Sequence, residues 1–325
     1  MLKYIIKRIL YMIPVLLGVL LILFILSEIT PGDPANLVLD SSATDAQREA
    51  WREEQGLNDP LPIRFGRYVL NVLHGDLGNS YKSGQPVFEE IRHRLPISIM
   101  FAFFSVVLGI IVGVPLGVLS ALKQNTWIDT LLIVVSMLFI SIPMFCLGLV
   151  LIYIFSVKLN MFPAYGVESV RSLVLPMIVV VAFSAATYIR VARSSMLEAM
   201  RQDYILTARS KGQKERIIIF YHMLGNALIP VIAQIGNDFG VQLGGALVLE
   251  TVFGIPGIGK YIADSITAHN YPSVLGGIFI LALLVSMVNL FVDLGYAMVD
   301  PRLRTSFGMG ERSKRVKILQ EKLKT

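Results

Sequence analysis

Cysteine, histidine and charge are all scarce in this 325-residue chain, and each scarcity removes a class of function. With one cysteine, Cys146, neither an internal disulfide framework nor a cysteine-based metal site can form, and a buried apolar thiol is the simple reading. The four histidines, His74, His93, His222 and His269, are widely separated and lack metal-ligand spacing, so no catalytic constellation of an intramembrane enzyme is present and no metal ligand set is expected. Only 16% of residues are charged while 54% are hydrophobic, and mean hydropathy is +0.66. That leaves too little polar surface to coat a water-soluble globule of this size, so the chain belongs in lipid. The alternating pattern of a membrane β-barrel is absent too, and lipid offers no partner to an open strand edge.

What the chain does have is long apolar runs. A hydrocarbon core ~30 Å thick takes roughly 20 apolar residues in a helix. Six stretches qualify, at about 9–29, 97–122, 130–157, 173–196, 227–249 and 274–299, which predicts an all-α polytopic membrane protein. The first, preceded by Lys3, Lys7 and Arg8, is too long for a signal-peptide core, and Ser27-Glu28-Ile29 offers no small-x-small cleavage site; it is expected to remain as an anchor. Lys and Arg crowd the amino terminus, the connection between the fourth and fifth stretches (Arg190, Arg193, Arg201, Arg209, Lys211, Lys214, Arg216) and the carboxy terminus, whereas the short opposite loops hold Lys158, Arg171 and Lys260. The positive-inside rule then puts both termini and that connection in the cytoplasm of a bacterial or archaeal cell. The net charge of +6 is accounted for by basic ends facing lipid headgroups and calls for no nucleic acid.

The organisation expected is an amino-terminal transmembrane helix at 1–29, an extracytoplasmic insertion at 30–96, a five-helix core at 97–305 with a polar cytoplasmic loop near 198–230, and a basic cytoplasmic tail at 306–325. The insertion opens on Thr30-Pro31-Gly32-Asp33-Pro34, which cannot continue a helix. Asp45 to Gln55 is a charged, helical piece ended by Gly56, and the rest mixes Pro, Gly and Asn with Phe65, Tyr68 and Tyr81. It is a small cap, too short to be an enzyme on its own.

Residues 254–260, GIPGIGK, have the glycine and lysine spacing of a phosphate-binding loop. Tyr261 stands where Ser or Thr should hold magnesium, and the segment follows a span in place of a strand, so a bend or re-entrant loop is the expectation. Small residues recur as Gly109/Gly113/Gly117 and Gly236/Gly240/Gly244, for packing within one subunit or, alternatively, against a second. Asp238 lies mid-span with Asn237 nearby, and Gln234, Asp238 and Gln242 form one polar stripe at helical spacing; Asp293 shares the last span with Asn289. A charge at that depth must face protein or water, and a water-filled path along Gln234, Asp238, Gln242 and Asp293 is preferred over structural hydrogen bonding.

In the cytoplasmic loop Asp203 begins a short helix, Tyr204, Ile205 and Ala208 line one side of it, and Gly212 supplies its stop; a second helical stretch, 215–224, leads into the fifth span. So short a helix cannot fold alone, and either a protein groove or the headgroup layer would hold it. Leu206-Thr207-Ala208, followed after three residues by Gly212, resembles the EAA loop of ABC importer permeases. The string QDYILTARSKG with NALIPV, the amino-terminal KRILYMIP, PGDP after the first span and VFGIPGIG after the fifth are similar to the dipeptide, oligopeptide and nickel branch of that family, over nearly the whole chain to about Thr305. The family's Ile-x-Leu-Pro ending is replaced by His222-Met223-Leu224-Gly225, a departure the peptide branch shares.

The resemblance implies a non-enzymatic transport subunit. Asp203, Tyr204, Ile205, Thr207, Ala208, Arg209, Lys211 and Gly212 would couple to an ATPase. The partners would be a second, related permease, two ABC ATPases that bind ATP and Mg, and an extracytoplasmic binding protein; no cofactor belongs to this chain. The solute would be a dipeptide or oligopeptide, with nickel or glutathione as alternatives. A secondary transporter is the rival, but paired broken helices and internal repeats are not evident.

Overall fold

The computed structural model describes residues 2–30, 33–39 and 42–299, so Pro31-Gly32 and the tail at 306–325 lie outside it. The described residues form helices and, apart from an isolated bridge between Asn79 and Pro86, no strand pairing. In chain order the helices are α1 (Leu2–Ile29), α2 (Ala35–Val38), α3 (Asp45–Glu54), α4 (Leu61–Leu73), α5 (Val87–Leu122), α6 (Trp127–Ser141), α7 (Met144–Leu151), α8 (Val170–Met200), α9 (Asp203–Ser210), α10 (Glu215–Ile217), α11 (Leu224–Val252), α12 (Ile258–Thr267) and α13 (Tyr271–Val299). Looser π-type turns extend α7 over Ile152–Lys158 and bridge α10 to α11 over Ile218–Met223.

Five helices are long and apolar enough to cross a membrane, and the expected third span makes up to six. That span is not one rod: α6 and the α7 segment meet at a 98° bend. Pro143 cannot donate a hydrogen bond and forces its predecessor, Ile142, into extended backbone, so the helix stops there despite an unbroken apolar sequence. The other departure concerns the start of the core. α5 begins at Val87, well before the apolar run at Ile97, and its 36 residues reach about 54 Å at 1.5 Å per residue. Its charged first turns therefore project beyond the membrane-length part.

α5 and α8 form the centre. A Cβ at Gly113 would lie 2.6 Å from the Ala185 carbonyl oxygen, and one at Gly117 would lie 2.7 Å from that of Ile189, so only glycine lets these backbones meet. Gly236 likewise abuts Val292 of α13, while Gly244 faces open space. The first small-residue stripe and most of the second thus serve packing within the subunit.

In the cap, α3 is opened by a Thr44–Gln47 capping box and closed by Gly56 at φ +64°, as the sequence indicates. α4 was not expected; Pro60 and Pro62 prepare its first turn, and Leu61, Phe65, Tyr68 and Val72 carry a helical period through what reads as loop composition. The cap leans on α1 through Phe24, whose ring meets Phe65 and Tyr68, and through the Arg64–Glu28 ion pair at 2.8 Å.

Candidate functional site

α9 sits at the end of the bundle opposite the cap. It closes in a Schellman motif: Gly212 N–H donates to the Arg209 carbonyl at 2.9 Å and Gln213 N–H to that of Ala208 at 3.3 Å, with Gly212 at φ +71°. Ile205 is fully buried and Ala208 nearly so, packed with Met196, Ala199, Ile218, Met223 and Ala227. Each large apolar side chain so covered contributes about 2 kcal/mol. This seat sharpens the sequence reading. Of the expected coupling residues, Ile205 and Ala208 hold the helix to its own bundle and have no surface to offer a partner. Tyr204 is not part of that seat; it is 41% exposed, and its hydroxyl accepts from Asn226 Nδ2 at 3.2 Å. Asp203, Thr207, Arg209, Lys211 and Gly212 are exposed, and so is Leu206 at 58%, an apolar side chain on a polar face that the sequence reading placed in the EAA-like string but left out of the coupling set. Arg209 is tied to Glu215 at 2.6 Å, an exposed pair worth at most about 1 kcal/mol.

The polar stripe of α11 faces α8. Gln242 Nε2 donates to Ser184 Oγ at 2.8 Å, Gln234 Nε2 donates to Asp238 Oδ1 at 2.9 Å, and Asp238 lies beside the hydroxyl of the fully buried Tyr188. Asp238 Oδ2 and Tyr188 Oη are buried without a hydrogen bond of normal geometry. Gln234, Asp238 and Gln242 are therefore brought together with α8, where Ser184 receives Gln242 and the Tyr188 hydroxyl stands beside Asp238. Asn237 is exposed, and the Asp293 side chain lies outside the described residues.

The glycine-rich segment after α11 does cradle an anion, and the anion is the chain's own. Glu250, 2% exposed, accepts from Ser98 Oγ at 2.5 Å and from Lys260 N–H at 2.9 Å, while Ser98 Oγ in turn accepts from Ile258 N–H at 2.9 Å. The amino terminus of α12, the arrangement that in other loops receives a phosphate, is filled by this carboxylate. A Cβ at Gly257 would overlap Glu250, and one at Gly259 would come 2.5 Å from the Leu247 backbone, so both glycines are required by close approach. Sequence reasoning placed Glu250 just past a span and gave it no role; its spacing from the Gly-Ile-Gly turn was the available signal.

A second buried acid was also missed. Asp129 of α6 receives Arg193 Nε and Nη2 of α8 at 2.7 and 2.8 Å, Ser120 Oγ at 2.5 Å and Asn125 N–H at 3.1 Å. Arg193, counted in the sequence as one of the basic span ends, is thus a clasp between helices. Among the described residues no group of three His, Cys, Asp or Glu side chains could hold a metal ion.

The chain is similar to known proteins along most of its length. A profile described as binding-protein-dependent transport system inner membrane component matches residues 113–305, and its amino-terminal companion matches residues 1–102. The chain is 36% identical to the dipeptide transport system permease protein DppB of Alkalihalophilus pseudofirmus, over 94% of this chain and all of that one. It is 39% identical to the oligopeptide transport system permease protein AppB of Bacillus subtilis (93% and 99% covered) and 38% identical to the glutathione transport system permease protein GsiC of Pectobacterium atrosepticum (94% and 99%). Among solved structures, an inward-facing MetNI methionine ABC transporter chain matches with a TM-score of 0.52 at 18% identity, covering 65% of this chain and 96% of that one, a likeness of fold. With its all-helical bundle, broken third span and glycine-capped α9, the chain belongs to the family of binding-protein-dependent transport system inner membrane components, as a multi-pass permease subunit of an ABC importer.

Proposed function

We propose that this subunit pairs with a second, related permease and passes dipeptides or oligopeptides, delivered by an extracytoplasmic binding protein, across the inner membrane at the expense of ATP. ATP and Mg are bound by a pair of cytoplasmic ATPases, and the chain itself makes and breaks no covalent bond. Both termini and α9 lie in the cytoplasm, as the distribution of Lys and Arg indicates. The observation that carries this reading is α9: a helix of eight residues seated by Ile205 and Ala208, with Tyr204, Leu206 and Thr207 turned outward. That face is the right size for a cleft on another protein. Closure of the ATPase pair on nucleotide would move α9, and the adjoining α8 and α11 would tilt with it. Nucleotide acts by stabilising one of two bundle arrangements over the other. Asp238, a buried acid at mid-span beside Tyr188, borders the path that this motion opens.

The names of the relatives favour peptide, and glutathione, itself a tripeptide, falls within the same chemistry. Gly212→Asp tests the coupling assignment. No atom lies within 4 Å of a Cβ at this position, so the fold tolerates the side chain apart from about 1 kcal/mol for the left-handed backbone. ATP-driven peptide uptake should fall at least tenfold while membrane abundance stays normal, and wild-type uptake should stop on ATP depletion but survive collapse of ion gradients. Normal uptake by the variant removes α9 as the coupling element.

A further inference from the structure

Beyond the glycine-rich turn, the projecting end of α5 and the first turns of α12 enclose an open cleft of ≈ 430 Å³. Glu90 and Arg94 stand on one wall, four residues apart on α5, a spacing at which opposite charges ordinarily pair. Here they do not: among the described residues neither forms an ion pair. Arg94 donates from Nη1 to the Glu90 backbone carbonyl at 2.6 Å, and its guanidinium lies 4.6 Å from the centre of the Tyr261 ring. The Tyr261 hydroxyl, buried without a hydrogen bond of normal geometry, has both the Ser273 hydroxyl and the Glu90 carboxylate beside it. Tyr261 thus keeps the two charges separate, the cation on its face and the anion at its tip. Lys82 adds a second cation to the lining, while Lys260 and Asp264 satisfy each other at 2.6 Å.

A cleft that holds one carboxylate and one guanidinium apart, both partly exposed, suits a small solute carrying both charges. We propose that it is a subsite for the termini of a peptide, with Arg94 and Lys82 receiving the α-carboxylate and Glu90 the α-ammonium. This rests on the reading of the chain as a peptide permease and adds where on the permease the solute is first held. Because every peptide carries both termini, such a site is indifferent to side chains.

The test is equilibrium binding of trialanine and of trialanine amide to the intact permease–ATPase complex in lipid nanodiscs without the binding protein, alongside trialanine uptake by the complete system. Wild type should bind the free acid about tenfold more tightly than the amide, the worth of one charge-assisted pair. Arg94→Gln should abolish that preference, Arg94→Lys should restore part of it, and Glu90→Gln should weaken both peptides equally. An unchanged preference in Arg94→Gln, or no binding by wild type while uptake is normal, overturns the subsite and leaves the peptide reading standing. Absence of wild-type uptake of any peptide overturns the reading itself.

Discussion

α9 and α12 are both short helices flanking α11, α9 by way of α10 and the π-type turn, yet they are held by opposite physics. α9 rests on an apolar seat, and everything polar about it faces outward. α12 is gripped through Glu250, Ser98 and its own first N–H groups, with Ile258, Tyr261 and Ile262 buried behind them. Apolar contact is non-directional and tolerates tilting. A carboxylate aligned on backbone N–H groups fixes register and angle. The difference teaches that α12 is fixed in register to α11 by directional hydrogen bonds, whereas α9 is joined to the bundle mainly by apolar burial, which can carry a push into the bundle without fixing one angle.

The sharpest way to break this comparison is Glu250→Ala, which strands buried donors and should cost about 3 kcal/mol or more. Thermal unfolding of the purified complex would show it as a large drop, and a cost near zero would mean that α12 is not clamped. Ile205→Ala should cost somewhat less, about 2 kcal/mol, because the seat can partly collapse. Its signature is selective: ATPase co-purification should weaken before the permease itself unfolds, and a loss of abundance with normal co-purification would reverse the roles of the two helices. Asp238→Asn tests the α11 segment that joins them. It should alter the rate of uptake while assembly persists and stability changes by less than about 1 kcal/mol; failed assembly would make the stripe a structural seam alone.

The smallest effect concerns the cap that roofs the α12 end. Arg52 beside Asp33, helped by the Ala35 backbone N–H, holds the Asp33 carboxyl below its ordinary value, and burial opposes this in part. A depressed carboxyl stabilises the folded cap above its ordinary pKa, near 4, and that contribution disappears as pH falls through the lower folded value. Amide protection factors in α3, taken relative to the intrinsic exchange rate at each pH, should therefore fall modestly on acidification below about pH 4 in wild type, and less in Asp33→Asn. Equal pH dependence in both would remove this pair from the account.

Much of this molecule was legible beforehand. Spans can be counted because hydrocarbon demands a fixed length, and Gly212 could be placed because a glycine after a short polar helix commonly closes it. The bend at Pro143 was hidden inside an apolar run where a single proline argued against length alone. The coupling residues were named from resemblance, and their division into seat and outward face required the actual direction of each side chain. Glu250 and Asp129 escaped for a common reason: a buried acid is explained by donors distant in sequence, here Ser98 and Arg193.

The sequence by itself determined the solvent of this protein, its helical class and the position of the short helix α9 proposed as its lever, since these depend on local apolar length, charge count and turn chemistry. Only tertiary structure decided that the phosphate-like loop embraces an internal carboxylate, that most of the glycine stripes bind helices of one subunit, and that Arg94 and Glu90 stay unpaired. Each of those depends on which surfaces meet across the bundle, and the sign of an electrostatic interaction is set by that distant partner, not by neighbours along the chain.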